Sequence, residues 1–298
     1  MLGIVLICYN NHDELIAYIN EELVKITYPF RAVIIDNSIS SKSHDILLDF
    51  IENSKMYVGV SWNKNIAIIK AGSNLGYAKA NNLGAIYLNQ NFRIRYLLFS
   101  NSDIKFEDDN VVEHLISELE KLPSVGAINP KIIGVNRKDQ SPMKRVSIWR
   151  HHILKFMFYP FFRTNTTLVS NAEKGNYHRL MGCFLLVRNK VFLEADLFDS
   201  NTFLFGEELI LAERMRGIGY LSHYDDKKII IHNNSQTIKK SYNYLSQIEM
   251  AYKSELYFFI HYLKENRLEL SLSKISFLIF KRIYFPVLIL LDKIRKAC

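Results

Sequence analysis

Cysteine is scarce: among 298 residues the thiols are Cys8, Cys183 and Cys298. Thiols so few, odd in number and far apart exclude a disulfide framework and a zinc ribbon, and they fit a reducing, cytoplasmic setting. Long hydrophobic runs are also missing. No stretch reaches the roughly 18–20 uncharged apolar residues that a membrane-spanning helix needs. The apolar start, Met1 to Cys8, has no basic residues before it and is too short for a signal-peptide core with its cleavage site, so it is expected to be a buried strand. There are no internal repeats or low-complexity tracts. Two phosphate-binding fingerprints are absent as well. The chain has neither Gly-x-x-x-x-Gly-Lys-Ser/Thr nor Gly-x-Gly-x-x-Gly, which disfavours a phosphate-loop nucleotidase and a nicotinamide dehydrogenase.

What is present is an ordinary globular composition, 49% apolar and 23% charged, with a formal net charge of +8. A basic balance suits anionic partners, whether nucleotide phosphates, nucleic acid or an anionic membrane face. A nucleic-acid partner would account for the charge but not for the acidic strand ends described next, and none is expected.

Apolar runs at 3–8, 32–35, 65–70 and 95–100 alternate with helical periodicities at 13–25, 45–51, 77–89 and 109–121, and a further strand is expected at 125–129. Four β-α repeats predict an α/β doubly wound, mostly parallel sheet flanked by helices, with ligands at the carboxyl ends of the strands. Tyr9, Asn10, Asp36, Asn74 and Asp103 all fall at such ends, each from an independent segment. The pattern lapses between Gly134 and Asn176, where His151 and His152 read as part of a solvated loop. It returns in an apolar strand at 180–187 and another at 228–232. A long aromatic helix is expected at 244–263, followed by an apolar segment at 276–291.

The chain is organised around Phe203-Leu204-Phe205-Gly206-Glu207-Glu208, followed by a helical pattern stopped by Gly217 and Gly219. Both glutamates fall in the first turn of that helix, where the dipole and unpaired amides favour negative charge. They are either plain helix-start charges or a working pair. Asp103, just past a buried strand, either caps the next turn or offers a hard oxygen to a divalent cation. Asp36 either forms a turn or reads a ribose or base edge. The small-residue stretch from Gly72 to Gly84, with Asn74, Gly76, Asn81 and Asn82, either packs or lets backbone approach a ligand. His232, closing an apolar strand, either makes a structural hydrogen bond or holds a cation or phosphate.

Five stretches in series, VLICYN with VIIDNS, GSNLGYAKANNLG, LLFSNSDIKF, MGCFLLVRNKVF with LFDSNTFLFGEELILAERMRGIGY, and IIIHNNSQT, resemble family 2 glycosyltransferases of the GT-A fold, in particular bacterial rhamnosyltransferase-like members. The resemblance implies a GT-A catalytic domain over residues 1–237, with a nucleotide-binding half to about 130 and an acceptor half from about 131. A C-terminal helical segment, 238–298, follows. Tyr9, Asn10, Asp36, Asn74, Gly76, Asn81, Asn82 and Asn101 would line a nucleotide diphosphate sugar, dTDP- or UDP-linked. Gly182 would floor the sugar and acceptor pocket. Asp103 and His232 would hold Mg2+ or Mn2+. Glu208 would be the general base of an inverting transfer to a lipid-linked glycan in cell-surface polysaccharide synthesis, with Glu207 supporting it.

The chain departs from the family at two places. The DxD position reads Asn101-Ser102-Asp103, and the base is Glu rather than Asp. The first departure leaves open an inactive sugar-nucleotide-binding or scaffold protein. In the C-terminal segment, Phe277, Leu278, Ile279, Phe280, Phe285 and Leu288 with nearby lysines and arginines either pack on the domain or rest on the inner face of the plasma membrane through 270–298.

Overall fold

Alternation within each strand sends neighbouring side chains to opposite faces of the sheet, and both faces are covered. The computed structural model describes residues 1–53, 62–162, 167–233 and 243–297, without the side chains of 62–63 and 292–297. The nine strands among them are β1 (Leu2–Cys8), β2 (Phe30–Asp36), β3 (Ile66–Lys70), β4 (Tyr96–Ser100), β5 (Ile104–Phe106), β6 (Val125–Gly134), β7 (Gly175–Tyr177), β8 (Phe184–Arg188) and β9 (Leu221–His232). They form one sheet in the order β3-β2-β1-β4-β8-β6-β9-β5, with β7 against β9. The first four are parallel, with Cys8 opposite Asp36 and Asp36 opposite Lys70, so their polar carboxyl ends are level.

Helices α1 (His12–Glu21), α2 (Lys42–Asn53), α3 (Gly76–Asn91) and α4 (Val111–Lys121) connect this half. Leu2, Ile4, Leu6 and Cys8 meet Leu15 and Ile19 of α1, Leu47 of α2 and Leu115 of α4 on one face. Val5, Val33 and Ile35 meet Ala78, Ala85 and Leu88 of α3 on the other. Each such fully buried aliphatic side chain contributes about 1.5–3 kcal/mol. The α3 face is made of small residues for a reason: a Cβ on Gly84 would lie 2.5 Å from Val5 Cγ1.

The second half is mixed in direction. β8 runs antiparallel between β4 and β6, β9 is parallel to β6, and β5 and β7 are antiparallel to β9. β9 begins at Leu221, well before the expected Lys228. Of the charged residues in its early part, Asp225 is buried and neutralised inside the strand, pairing with Lys174 at 2.9 Å and His114 at 3.2 Å. α5 (Asn189–Glu194) and α6 (Glu207–Gly217) cover the face opposite α4.

The stretch around His151 and His152 is not a solvated loop. Ile148–Leu154 is a π-helix continuing into Lys155–Met157, and both histidines are buried. His152 is wholly enclosed because both its nitrogens are satisfied, by Ser273 Oγ at 2.9 Å and Glu255 Oε2 at 2.9 Å. Those partners come from α7 (Tyr244–His261) and α8 (Arg267–Ile279). A π turn, Phe280–Tyr284, joins α8 to α9 (Phe285–Ala297).

The apolar residues expected at a membrane divide between two faces. Phe280 is fully buried, and Phe277, Phe285 and Leu288 pack with it against Phe156, Tyr159 and Tyr252, with Tyr252 and Phe277 stacked at 3.9 Å. These four are therefore core contacts. Leu278, Ile283, Val287, Leu290 and Leu291 lie on the outward side and are more than half exposed. Among the described residues no helix is long and apolar enough to cross a membrane. The expected domain boundary at 237–238, the NSQT of the last matching stretch, Arg163 and Cys298 lie outside the described residues.

Candidate active site

Because β8 runs against β4 and β6, its start, with Gly182 just before it, lies beside the carboxyl ends of the other strands. One side of this edge is built from β1, β2 and the start of α3. Asp36 ends β2 fully buried; Oδ1 accepts from the Ser38 amide at 3.0 Å, and Oδ2 makes no hydrogen bond and lies 3.6 Å from His44 Nδ1. Tyr9 is half-buried; exposed Asn10, at φ 58°, donates its amide to Ser38 Oγ at 2.9 Å. Asn74 Oδ1 accepts from the Gly76 amide at 3.0 Å.

Asn37, which sequence reading passes over, ties this loop to β2. Its Nδ2 donates to the Gly76 carbonyl at 3.1 Å, and its Oδ1 accepts from the Leu75 amide at 3.3 Å. The amides of Asn81 and Asn82 have protein partners. Asn81 donates to the Tyr77 carbonyl one turn back at 3.1 Å. Asn82 donates to the Phe198 carbonyl at 2.8 Å and accepts from the Phe198 amide at 3.0 Å.

Gly76 has a sharper role. It sits at φ 76°, and a Cβ there would lie 2.2 Å from the Phe203 carbonyl oxygen. That carbonyl accepts from the Tyr77 amide at 2.8 Å. The 72–76 loop is thus docked on the segment leading to the two glutamates. From the opposite side, Ser254 of α7 donates to the Leu204 carbonyl at 3.2 Å. Tyr262 and Tyr257 donate to Asp199 at 2.6 and 3.1 Å. Phe205 and Gly206, at φ 69° and 83°, then turn the chain so that α6 opens on Glu207.

Asp103 and His232 come from chain positions far apart and meet because Ile104 of β5 pairs with His232 of β9. Their Oδ1 and Nε2 atoms are 3.3 Å apart and both side chains are buried. His232 Nδ1 donates to Gln140 Oε1 at 2.7 Å, which turns Nε2 toward the carboxylate. An imidazole lone pair facing a carboxylate needs a cation between them, a proton or a metal ion. Burial lowers the histidine pKa, but Cys183 and Asp103 outweigh it and raise it to about 10, so without a metal the proton takes that place.

Among the described residues no three His, Cys, Asp or Glu side chains gather as a complete metal cage. Two protein donors nevertheless fit Mg2+ or Mn2+, which commonly keep water and substrate phosphate as their remaining ligands. In the degenerate motif, Ser102 does not face this pair. Its hydroxyl donates to Glu14 at 2.6 Å and accepts from Asn11 at 2.8 Å, while the Asn101 amide donates to the Cys183 carbonyl at 2.8 Å.

Glu207 and Glu208 lie differently. Glu207 points inward; burial first, then the charge of Glu208, raises its pKa well above the usual carboxyl range. Glu208 faces Gly182: a Cβ on that glycine would lie 3.9 Å from both Glu208 Oε2 and the Tyr77 hydroxyl. Tyr77, also unmarked in the sequence, donates to the Gly182 carbonyl at 2.8 Å, and its pKa is raised by burial and then by Glu207. Glu208 Oε1 is 3.7 Å from Nη1 of Arg179, a buried guanidinium that no motif pointed to. Since Gly182 precedes Cys183, and Cys183 neighbours His232, the glutamate and the Asp103–His232 pair flank the same short segment.

This mixed sheet, with its ligand edge at the strand ends, defines a GT-A fold. The chain belongs to glycosyl transferase family 2, whose profile matches residues 3–194, more than half its length. The match ends before Glu207 and Glu208. No curated protein matches the chain significantly in sequence.

Its structure is similar to GalNAc-T7 crystallised with UDP, GalNAc and Mn2+ (TM-score 0.58, 14% identity, 93% of this chain and 54% of that one). It is also similar to the Pyrobaculum calidifontis mannosyltransferase PcManGT in complex with GDP-Man and Mn2+ (TM-score 0.57, 11% identity, 94% and 72%). A third likeness is to residues 1–349 of S. aureus TarS (TM-score 0.51, 11% identity, 89% and 73%). The chain thus spans about half the length of the first of these.

Proposed function

We propose that this chain transfers a sugar from a nucleotide diphosphate sugar to an acceptor hydroxyl in one inverting displacement. The observation that carries the reading is Glu208, facing Gly182 at the strand-end edge where β5 and β9 also bring Asp103 to His232. Asp36, at the end of β2, would meet the nucleoside, and the 72–76 loop would pass along the donor. Asp103 and His232 would hold a divalent cation, which supplies positive charge to the departing diphosphate. The two structural neighbours that contain Mn2+ and a nucleotide or sugar nucleotide favour that donor class.

In the transfer, the acceptor oxygen forms its bond to the anomeric carbon as the bond to the diphosphate breaks. Its proton passes to Glu208. A hydroxyl is far less acidic than a carboxylic acid, so proton transfer accompanies bond formation. Glu207, enclosed beside it, would support its neighbour.

The finer reading is a dTDP- or UDP-linked donor, rhamnose by family resemblance, and a lipid-linked glycan acceptor of a cell-surface polysaccharide. The outward apolar side chains of α8 and α9, beside exposed Lys274 and Arg282, would rest on the inner face of the plasma membrane.

Glu208→Gln tests the base. A thermal-shift screen of sugar nucleotides first identifies the donor. Turnover of the variant should then fall about a hundredfold or more, the usual range for losing a general base, while the donor-induced thermal shift is kept. Near-normal turnover would reassign the base.

A further inference from the structure

We propose that Arg179 is a positioning residue that keeps the single negative charge of the Glu207–Glu208 pair on Glu208, the carboxylate facing Gly182. The inference rests on the reading of Glu208 as the base. Two adjacent carboxyls in a poorly hydrated site resist ionising together, so the surroundings decide which one keeps a proton. The helix dipole cannot decide, because both residues sit in the first turn of α6.

Position decides instead. Glu207 is enclosed, and its Oε2 is buried without a hydrogen bond, so that site disfavours charge. Arg179 Nη1 lies 3.7 Å from Glu208 Oε1, and a guanidinium keeps its charge throughout the working pH range; its charge also reaches Glu207, but there burial and the neighbouring carboxylate outweigh it. The cation is held in place. The backbones of Arg179 and Met143 bond to each other in both directions, at 2.8 and 3.2 Å, and Nη2 lies 2.7 Å from Met143 Sδ.

The other groups around the pair do not take over this role. From α3, the Tyr77 hydroxyl donates to the Gly182 carbonyl rather than to a carboxylate, and burial keeps it protonated. From β8, Cys183 follows Gly182 and is associated with His232. Beside Arg179, His178 is held neutral by burial and by Arg216, Arg145 and Arg179, its pKa lowered to about 3. From α7, Glu255 also feels Arg179, but it is already engaged by His152 at 2.9 Å.

The test reads the carboxyls directly and needs no substrate. Protein labelled with 13C at the glutamate carboxyl is titrated by NMR, with Glu207→Gln and Glu208→Gln assigning the two signals. At pH 7 the wild-type Glu208 signal should be that of a carboxylate and the Glu207 signal that of an acid. In Arg179→Met the negative charge should no longer be confined to Glu208, so that both signals show carboxylate character at pH 7, and Arg179→Lys should restore most of the wild-type pattern. Arg179→Gln serves in the same way if the Met variant does not fold. An unchanged pair of carboxyl signals in a folded variant overturns the proposal, as does charge resting on Glu207 in the wild type. Failure of the base assignment itself shows separately, as undiminished turnover in Glu208→Gln.

Discussion

Replacing Gly76 by alanine tests whether the 72–76 loop sets the position of the glutamates. The new Cβ would lie 2.2 Å from the Phe203 carbonyl oxygen, about 0.8 Å inside the 3.0 Å below which real Cβ atoms essentially never come. The obstacle is backbone, so no side chain can swing aside. The φ of 76° adds roughly 1–2 kcal/mol for an L-residue. If the segments part, the hydrogen bond from the Tyr77 amide to Phe203 is lost as well, worth roughly 1 kcal/mol. The hydrogen bond resists parting, so what opposes docking is the backbone overlap together with the strain; the strain alone, about 1–2 kcal/mol, shifts the docked population roughly 5- to 30-fold.

The displaced segment, 203–206, leads directly into Glu207 and Glu208, and a shift of about 1 Å in a catalytic group is enough to cost on the order of a hundredfold in rate. Turnover of Gly76→Ala should therefore drop at least tenfold. The core of the sheet is untouched, so the melting temperature should fall by no more than several degrees. Steady-state kinetics and calorimetry on the same preparation provide the check. Wild-type turnover in a folded Gly76→Ala protein would refute the docking argument. So would a rate loss fully matched by the unfolded fraction at the assay temperature.

Two further outcomes are expected. Hydrogen bonds from Lys121 and then Lys174 hold the buried Glu118 carboxyl down at about 2, from a usual 4.5. A carboxylate with a lowered folded pKa stabilises above its unfolded value, and that contribution fades as pH falls from about 4.5 toward 2. Glu118→Gln should thus be less stable than wild type at pH 7, by no more than about 3 kcal/mol and by less insofar as exposed Lys121 is screened. The difference should close near pH 2 in urea titrations; a gap independent of pH would contradict this. At the C-terminus, replacing Ile283, Val287 and Leu290 together by serine should cut sedimentation with vesicles containing anionic lipid about tenfold or more. Each side chain is more than half exposed, so the melting temperature should barely move. Unchanged vesicle binding would remove the membrane contact.

The parallel half of the fold was legible because its strands are buried on both faces and read as unbroken apolar runs. The Glu207–Glu208 helix start was legible from Gly206 before it and Gly217 after it. The start of β9 was hidden because its charge is cancelled by Lys174 and His114, both distant in sequence. The 148–157 helix was hidden because His152 finds its partners on α7 and α8.

Local information, meaning apolar periodicity, helix-ending glycines and polar residues just past strands, therefore determined the parallel half, the Glu207–Glu208 helix start and the strand-end edge on which Asp36 and Asp103 fall. Tertiary structure alone decided their surroundings. It put Asp103 against His232, enclosed Glu207 while leaving Glu208 beside Gly182, and brought Arg179 to within 3.7 Å of it. The physical reason is that protonation and charge depend on burial and on neighbours across space, and two adjacent glutamates look alike until the fold surrounds them differently.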